Sequence, residues 1–142
     1  MFRLDRRFVE EMIEHARQEA PLEACGILGG PAGGPVMRVY RATNWLQSET
    51  EYEIHPKDLL QILRDIDAQG WGDPLGIYHS HPRTEAYPSP TDIARATSSD
   101  GTPLYPGTLY FIVSLMDPER PIVRAFYIQN RSTIVEEELN IS

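Results

Sequence analysis

Three features are scarce in this sequence of 142 residues: cysteine, clustered basic side chains and long apolar runs. Cys25 is the only cysteine, so no disulfide can form within the chain, and a single thiol is compatible with a reducing compartment. No stretch approaches the roughly 20 apolar residues that a membrane-spanning helix needs. The N-terminus leads into an amphipathic segment instead of the apolar core of a signal peptide. We therefore expect a cytoplasmic protein.

Basic side chains number 13 against 21 acidic ones, which gives a formal net charge of -8. The basic residues form no run, and nucleic-acid binding depends on clustered cations that neutralise phosphates. This class of function is therefore not indicated. An acidic surface favours solubility or a locally basic partner, but it does not identify the partner.

The length of the chain is typical of one domain, and we expect residues 1–142 to form a single domain. A domain of this size can bury an apolar core without a disulfide or a structural metal. A metal ion in such a protein is therefore free to take part in chemistry.

Apolar residues at helical spacing predict helices over residues 5–19, 56–69 and 90–97. Short apolar runs bounded by turn residues predict strands over residues 24–29, 36–42, 52–54, 75–80, 109–115, 122–128 and 133–138. The first two and the last two of these strands are expected to form hairpins. Because helices and strands are intermixed, the predicted fold class is α+β, a three-layer α/β/α-like arrangement with a mixed β-sheet flanked by helices.

Two histidines stand at the end of a predicted strand, in Tyr-His-Ser-His-Pro at residues 78–82. Alternate side chains of a strand point to one face, so His79 and His81 project together. Asp92 follows in the first turn of the next predicted helix, after a loop long enough to fold back. Two nitrogens and one oxygen suit zinc, and three protein ligands leave a fourth position for water, as in catalytic zinc sites.

Each part of this pattern has a simpler explanation when it is taken alone. A His-x-His pair also occurs on solvated strands. The sequence from Ser89 to Asp92 is a good helix-capping box, with serine at the cap and proline next. The two interpretations are compatible, since a capped helix start is a rigid place for a ligand. Their joint occurrence favours the metal site.

The spacing of His79-Ser80-His81-Pro82, Ser89 and Asp92 resembles the JAMM motif of the MPN-domain metallopeptidases. Glu23, ahead of the apolar run at residues 25–30, is similar to the upstream catalytic glutamate of that family. The resemblance covers nearly the whole chain and implies the MPN/JAMM (cytidine-deaminase-like) fold. It further implies that His79, His81 and Asp92 bind one catalytic zinc ion (Zn2+), that Glu23 is the general base, and that Ser89 stabilises the oxyanion or holds the attacking water.

Within this family the segment at residues 78–92 is most similar to small prokaryotic members that act on ubiquitin-like sulfur-carrier proteins. The resemblance implies hydrolysis of an amide or isopeptide bond after the carrier's C-terminal Gly-Gly, with release of a residue such as cysteine. We expect residues 83–87 to line the groove for this tail. The alternatives are a deubiquitinase-like isopeptidase with another substrate and a non-catalytic MPN scaffold.

Three residues that could carry chemistry receive simpler interpretations. His55 precedes Pro56 at a helix start and is expected to cap that helix or to lie at the surface. His15 is expected to be exposed on the first helix. Cys25 is expected to be a buried apolar residue, because a nucleophilic thiol needs a lowered pKa and a nearby base, neither of which the sequence shows.

Overall fold

The computed structural model describes residues 1–142, which form three helices and eight strands. The helices are α1 (Arg6–Glu19), α2 (Pro56–Ala68) and α3 (Pro90–Arg95). The strands are β1 (Phe2–Leu4), β2 (Cys25–Gly29), β3 (Arg38–Ala42), β4 (Gly76–His81), β5 (Leu109–Ser114), β6 (Ile122–Asn130), β7 (Thr133–Glu137) and β8 (Leu139–Ile141). None of the three helices combines the length and apolar character that crossing a membrane requires.

Six strands form the main sheet in the order β3-β2-β4-β5-β6-β7. Strands β4 and β5 run parallel and all other neighbours run antiparallel, so the sheet is mixed. Strand β4 is flanked on both sides, by β2 and β5, and every one of its residues is buried. A separate two-stranded parallel sheet joins β1 to β8 and so brings the two ends of the chain together.

The helices cover the two faces of the main sheet. Helix α1 packs on one face, together with the β1–β8 pair, and encloses the larger apolar core. Helices α2 and α3 cover the other face, where a second core includes Ile27, Ile66 and Ile77. Because side chains alternate along a strand, β4 contributes Tyr78 to the first core and Ile77 and His79 to the second face.

The predicted helices are confirmed to within one or two residues at their ends, because each carries an N-cap that can be recognised in the sequence. Asp5 caps α1 by accepting the Arg7 N–H at 2.9 Å. His55 caps α2, as expected, by accepting the Lys57 N–H at 3.1 Å. Capping side chains satisfy backbone N–H groups that have no partner within the helix.

One prediction about strands was wrong, and two strands were missed. Residues 52–54 form no strand, because they close a loop in which only Ile54 makes a single bridge, to Asn44. Strands β1 and β8 were not predicted, since each is three residues long and is stabilised only by a partner at the opposite end of the chain.

The expectation for His15 was also wrong: its side chain is buried, with 5% of its surface exposed. The residue lies about one helical turn after Met12 and two turns after Phe8, on the face of α1 that packs on the sheet. The hydroxyl of Tyr78 lies 2.8 Å from His15 Nδ1, so the imidazole has a polar partner in the core. Burial lowers the pKa of His15 to about 4.

The lowered pKa of His15 predicts how acid destabilises the fold. When the pH falls below 6.5, the ordinary pKa of histidine, His15 of the unfolded chain binds a proton. In the folded chain His15 is protonated only near pH 4. The free energy of unfolding should therefore fall as the pH drops through this window, by up to about 3 kcal/mol from this group. Urea titrations between about pH 7 and pH 4 would measure the slope.

The variant His15→Gln serves as the comparison, because an amide can still bond to the Tyr78 hydroxyl but does not titrate. Its stability should fall less steeply over the same range of pH. Parallel curves for the two proteins would show that His15 does not titrate in this way.

Candidate metal centre

Three polar side chains converge on the face of the sheet that α2 and α3 cover. His79 Nε2 lies 3.1 Å from His81 Nε2 and 3.0 Å from Asp92 Oδ2. The distance from His81 Nε2 to Asp92 Oδ2 is 3.1 Å. All three side chains are buried. The structure thus brings together the three residues that were predicted as metal ligands.

The chain holds each of these side chains by local structure. His79 and His81 are two residues apart on β4, where they pair with Ile112 and Ser114 of the neighbouring strand β5. Asp92 is the third residue of α3, where a capping box fixes it. Its Oδ2 accepts the Ser89 N–H at 2.9 Å, and Ser89 Oγ accepts the Asp92 N–H at 3.0 Å. The helix cap therefore also orients the carboxylate.

A second layer of contacts orients the two imidazoles. His81 Nδ1 lies 2.7 Å from the carbonyl oxygen of Glu85, which can only accept. Nδ1 therefore carries the proton, and in the neutral ring Nε2 is left with its lone pair towards His79 and Asp92. The ring of Tyr52 stacks on His79 with centroids 4.3 Å apart and an angle of 18° between the planes. The Glu85 contact thus directs the Nε2 lone pair of His81 towards Asp92 Oδ2, and the Tyr52 ring holds the plane of the His79 ring beside it.

The donor set fits a zinc ion. Ligands about 2.0–2.1 Å from a tetrahedral zinc lie about 3.3 Å from one another, and the three observed separations are 3.0 to 3.1 Å. Lone pairs this close repel one another unless a cation or a shared proton lies between them. No cysteine takes part, and three protein donors are the set that catalytic zinc sites use.

The charges in this cluster are strongly coupled. Burial opposes ionisation of Asp92, but the adjacent His79 and His81 more than offset it and hold the pKa of the carboxyl well below its usual range. Burial lowers the pKa of His79. Burial also acts to lower the pKa of His81, but hydrogen bonds with Asp92 and the Glu85 carbonyl outweigh it, and the net shift is upward. An ionised carboxylate beside a neutral imidazole is the form that binds a metal.

Glu23 lies beside this cluster because of the strand register. Cys25 of β2 is opposite His79 of β4, and the Ser80 N–H donates to the Ala24 carbonyl at 3.0 Å. Continuing this antiparallel register places Glu23 opposite His81, with its side chain on the same face as both imidazoles. Only 3% of Glu23 is exposed, and its Oε1 has no hydrogen-bond partner.

The surroundings of Glu23 make it a stronger base than an ordinary carboxylate. Burial raises its pKa to about 8, while the nearby His81 acts to lower it and Asp92 and Glu51 to raise it further. A carboxylate with a pKa near neutrality can both take and return a proton. A strongly perturbed carboxyl next to a metal-ligand cluster is a typical feature of an active site.

Three further residues support the site and were not predicted from the sequence. Ser80, between the two histidines, accepts the Ala24 N–H with its hydroxyl at 2.7 Å. Asn44 donates its side-chain amide to the Glu23 carbonyl at 3.1 Å. Tyr52, which stacks on His79, was assigned to a strand. The position of Ser80 on a buried strand was the only signal in the sequence, since contacts of Asn44 and Tyr52 depend on loop conformation.

Cys25 lies in the buried strand β2, as expected, and burial raises the pKa of its thiol to about 12. A thiolate nucleophile is therefore not available at neutral pH. This finding argues against a cysteine peptidase.

Two histidines and a carboxylate that can bind zinc, with a second buried carboxylate beside them, form the kind of site that zinc metallopeptidases use. The family described as prokaryotic homologs of the JAB domain matches residues 5–128 of this sequence. The chain therefore belongs to this family, and the predicted JAMM/MPN identity is confirmed.

Three similar proteins illustrate the range of the family. The CysO-cysteine peptidase of Mycobacterium tuberculosis (strain ATCC 25618 / H37Rv) is 37% identical over 134 residues, covering 94% of this chain and 86% of that protein. The probable TtuB-protein conjugate cleaving protease of Thermus thermophilus is 39% identical over 92 residues, covering 64% of this chain and 60% of that protein. The solution structure of protein DSY2949 from Desulfitobacterium hafniense has a TM-score of 0.83 and 37% identity, covering 100% of this chain and 93% of that one. The predicted α+β fold, a mixed sheet flanked by helices, is confirmed.

The geometry of the centre predicts that His81→Ala weakens zinc binding. Removing one of three donors should lower the affinity by more than the 10–100-fold that loss of an outer partner typically costs. Zinc content after dialysis against a weak chelator, measured by elemental analysis, tests this. The variant His55→Ala is the matched control, because His55 caps α2 and should leave zinc content unchanged. Stoichiometric zinc in His81→Ala would contradict the ligand set.

Proposed function

We propose that this chain is a zinc-dependent peptidase that hydrolyses the amide or isopeptide bond after the C-terminal Gly-Gly of a ubiquitin-like sulfur-carrier protein. In this proposal residues 1–142 form one catalytic domain. The observation that carries the proposal is the convergence of His79, His81 and Asp92 to within 3.1 Å, with buried Glu23 on the same face of the sheet.

The names of the related proteins support the class of substrate. One relative acts on a conjugate of CysO with cysteine, and another on conjugates of TtuB with proteins. Both names describe cleavage of a bond between a named protein and a group joined to it. The short connections of this chain provide no insertion of the kind that recognises ubiquitin chains, so a single carrier with an extended tail is the better substrate.

The residues of the site divide the chemistry among them. His79, His81 and Asp92 would hold the zinc ion, which would supply Lewis-acid chemistry and a lowered pKa of water at this site. Glu23 accepts a proton from the attacking water and donates it to the departing amine, so that the leaving group departs neutral. The positive charge of the ion would favour the ionised form of Glu23, which is the form that accepts the proton.

Ser89 is the proposed partner of the oxyanion. Its Oγ lone pair is engaged by the Asp92 N–H, which leaves the hydroxyl proton free to be donated. Since the serine is the N-cap of α3, it is held at the same helix end as the ligand Asp92. A fixed donor at this point stabilises charge only as it develops, which raises the rate of the chemical step.

The loop between the ligands is the proposed wall of the tail groove. Arg83 and Tyr87 are exposed, whereas Ala86 is buried against the sheet. Tyr87 rests edge-on against Phe126 with ring centroids 5.2 Å apart, which gives it a defined position. Glycine has no side chain, so a Gly-Gly tail can lie extended in a narrow groove beside such residues.

A second candidate substrate keeps the chemistry and changes the leaving group. Because one relative is named as a probable protease of TtuB-protein conjugates, an isopeptide bond to a lysine side chain of a protein is the second candidate for this chain. A non-catalytic scaffold, in contrast, has no need for a buried, partnerless carboxylate beside three metal donors. The two catalytic candidates therefore differ only in the group that follows the Gly-Gly.

The proposed function predicts hydrolysis of a purified carrier adduct. One arm of the experiment uses a Gly-Gly-ended carrier with cysteine attached, and the other uses the same carrier joined to a lysine side chain. Intact-mass spectrometry should show loss of the attached group, abolition by a chelator and recovery on adding zinc. If neither adduct is cleaved by the zinc-loaded protein, the proposed function is wrong.

The proposed role of Glu23 predicts that Glu23→Gln keeps zinc but loses hydrolysis. The substitution preserves size and removes the proton acceptor, so kcat should fall by about 10²–10⁴-fold. Zinc content should equal that of the unaltered protein, in contrast to His81→Ala. Normal turnover by Glu23→Gln would mean that another group accepts the proton.

A further inference from the structure

The 44–54 loop, defined here as residues 44–54, covers the side of the sheet on which Glu23 lies. Its ends are held together by the bridge between Asn44 and Ile54 and by the Trp45 N–H, which donates to the Glu53 carbonyl at 2.7 Å. The loop contributes Tyr52, which stacks on His79, and Glu51, whose charge raises the pKa of Glu23. One loop therefore contacts both His79, a candidate metal ligand, and Glu23, the candidate base.

Asn44 is the first residue of this loop, and its side chain bonds to several residues along it. The residue is buried, with 5% of its surface exposed. Its Nδ2 donates to the carbonyls of Glu23 and Glu51 at 3.1 and 3.0 Å. Its Oδ1 accepts the N–H groups of Leu46 and Glu53 at 3.1 and 3.2 Å. The two N–H groups and two lone pairs of the amide are thus all used, and no other side chain of this size offers the same set.

The strand register explains why Asn44 reaches Glu23. Cys25 of β2 is opposite Ala42 of β3, so the same register carried two residues further places Glu23 opposite Asn44. Glu23 therefore lies between Asn44 on one side and His81 on the other. The Glu23 N–H also donates to the Ser48 carbonyl of the loop, at 2.9 Å.

The 44–54 loop thus fixes both backbone polar groups of Glu23. This matters for the side chain because Glu23 Oε1 has no hydrogen-bond partner of its own. Because no hydrogen bond holds Oε1, the position of the carboxylate depends on the position of the Glu23 backbone. A displacement of about 1 Å in a reacting group can cost about 100-fold in rate.

We propose that Asn44 is a positioning residue for the reaction, which holds Glu23 against the metal centre by tying its carbonyl to the 44–54 loop. This proposal rests on the proposed function, because the role of Glu23 as base belongs to it. Asn44 does not contact the reacting atoms and acts only through Glu23.

Two substitutions at Asn44 separate the donors from the acceptor. Asn44→Asp keeps an oxygen for the Leu46 and Glu53 N–H groups but loses both donors and adds a charge. Asn44→Ala loses everything without adding a charge. We expect kcat to fall by about 10–100-fold in both variants, while KM and zinc content stay unchanged. If one variant fails to fold, the other is judged by the same criteria.

The matched control is Asn130 at the turn between β6 and β7. Its Oδ1 accepts the Ser132 N–H at 2.8 Å, two residues on, as Asn44 Oδ1 accepts that of Leu46. Asn130 lies outside the catalytic machinery, so Asn130→Asp and Asn130→Ala should turn over the carrier adduct at the unaltered rate. Unaltered turnover by the Asn44 variants as well would overturn the proposal.

A double-mutant cycle distinguishes positioning from general damage. In the Glu23→Gln background the base is already gone, so Asn44→Ala should lower the residual rate no further. An equal further loss in that background would show that Asn44 has only a structural role and would overturn the proposal.

Amide hydrogen exchange provides a readout that needs no activity. The segment containing Glu23 should exchange faster in both Asn44 variants, because the Ser48 carbonyl no longer holds the Glu23 N–H in place. The Asn130 variants should show no change in that segment. If the unaltered protein cleaves no adduct, the proposed function fails, and unchanged exchange in the Asn44 variants would then separately overturn the positioning by Asn44.

Discussion

The antiparallel register between β2 and β4 is the constraint on which the rest of the site depends. It pairs Cys25 with His79 and so sets Glu23 opposite His81. A slip of one residue would turn the Glu23 side chain to the α1 face and separate it from the donors. Backbone and side-chain bonds between Ala24 and Ser80, at 3.0 and 2.7 Å, secure this register at the point where it matters.

The second constraint is the helix cap of α3, where one carboxylate has two tasks. Asp92 completes the capping box with Ser89 and also faces the two histidines. A ligand on a loop would have to lose conformational freedom on binding a metal, whereas this one is fixed by the start of a helix. Burying His79, His81 and Asp92 together lowers the stability of the fold unless a cation or a shared proton lies between them.

Burial acts to raise the pKa of both carboxyl groups of the site, and their different partners give them opposite net properties. Asp92 has positive or polarised partners on several sides, and its pKa is low. Glu23 is equally buried but has no hydrogen bond at Oε1, and its pKa is raised to about 8. One group is thus suited to bind a metal and the other to move a proton. Tyr52 and Asn44, both from the 44–54 loop, link these two environments.

The parts of the protein that depend on local pattern could be predicted from the order of the residues. Helical spacing and caps defined α1, α2 and α3, because Asp5, His55 and Ser89 satisfy N–H groups within two or three residues. Period-two alternation placed His79 and His81 on one face, and the start of the next helix added Asp92. These features need no knowledge of distant neighbours, whereas Glu23 was singled out only by the resemblance to the family.

Features that depend on long-range contacts became evident only in the folded chain. The pairing of β1 with β8, the burial of His15 against Tyr78 and the loop in place of a strand at residues 52–54 all involve partners remote in sequence. The position of Asn44 against the Glu23 carbonyl belongs with them. A polar side chain in a sequence shows its chemistry but not its partner, because the partner is chosen by how the sheet and its loops come together.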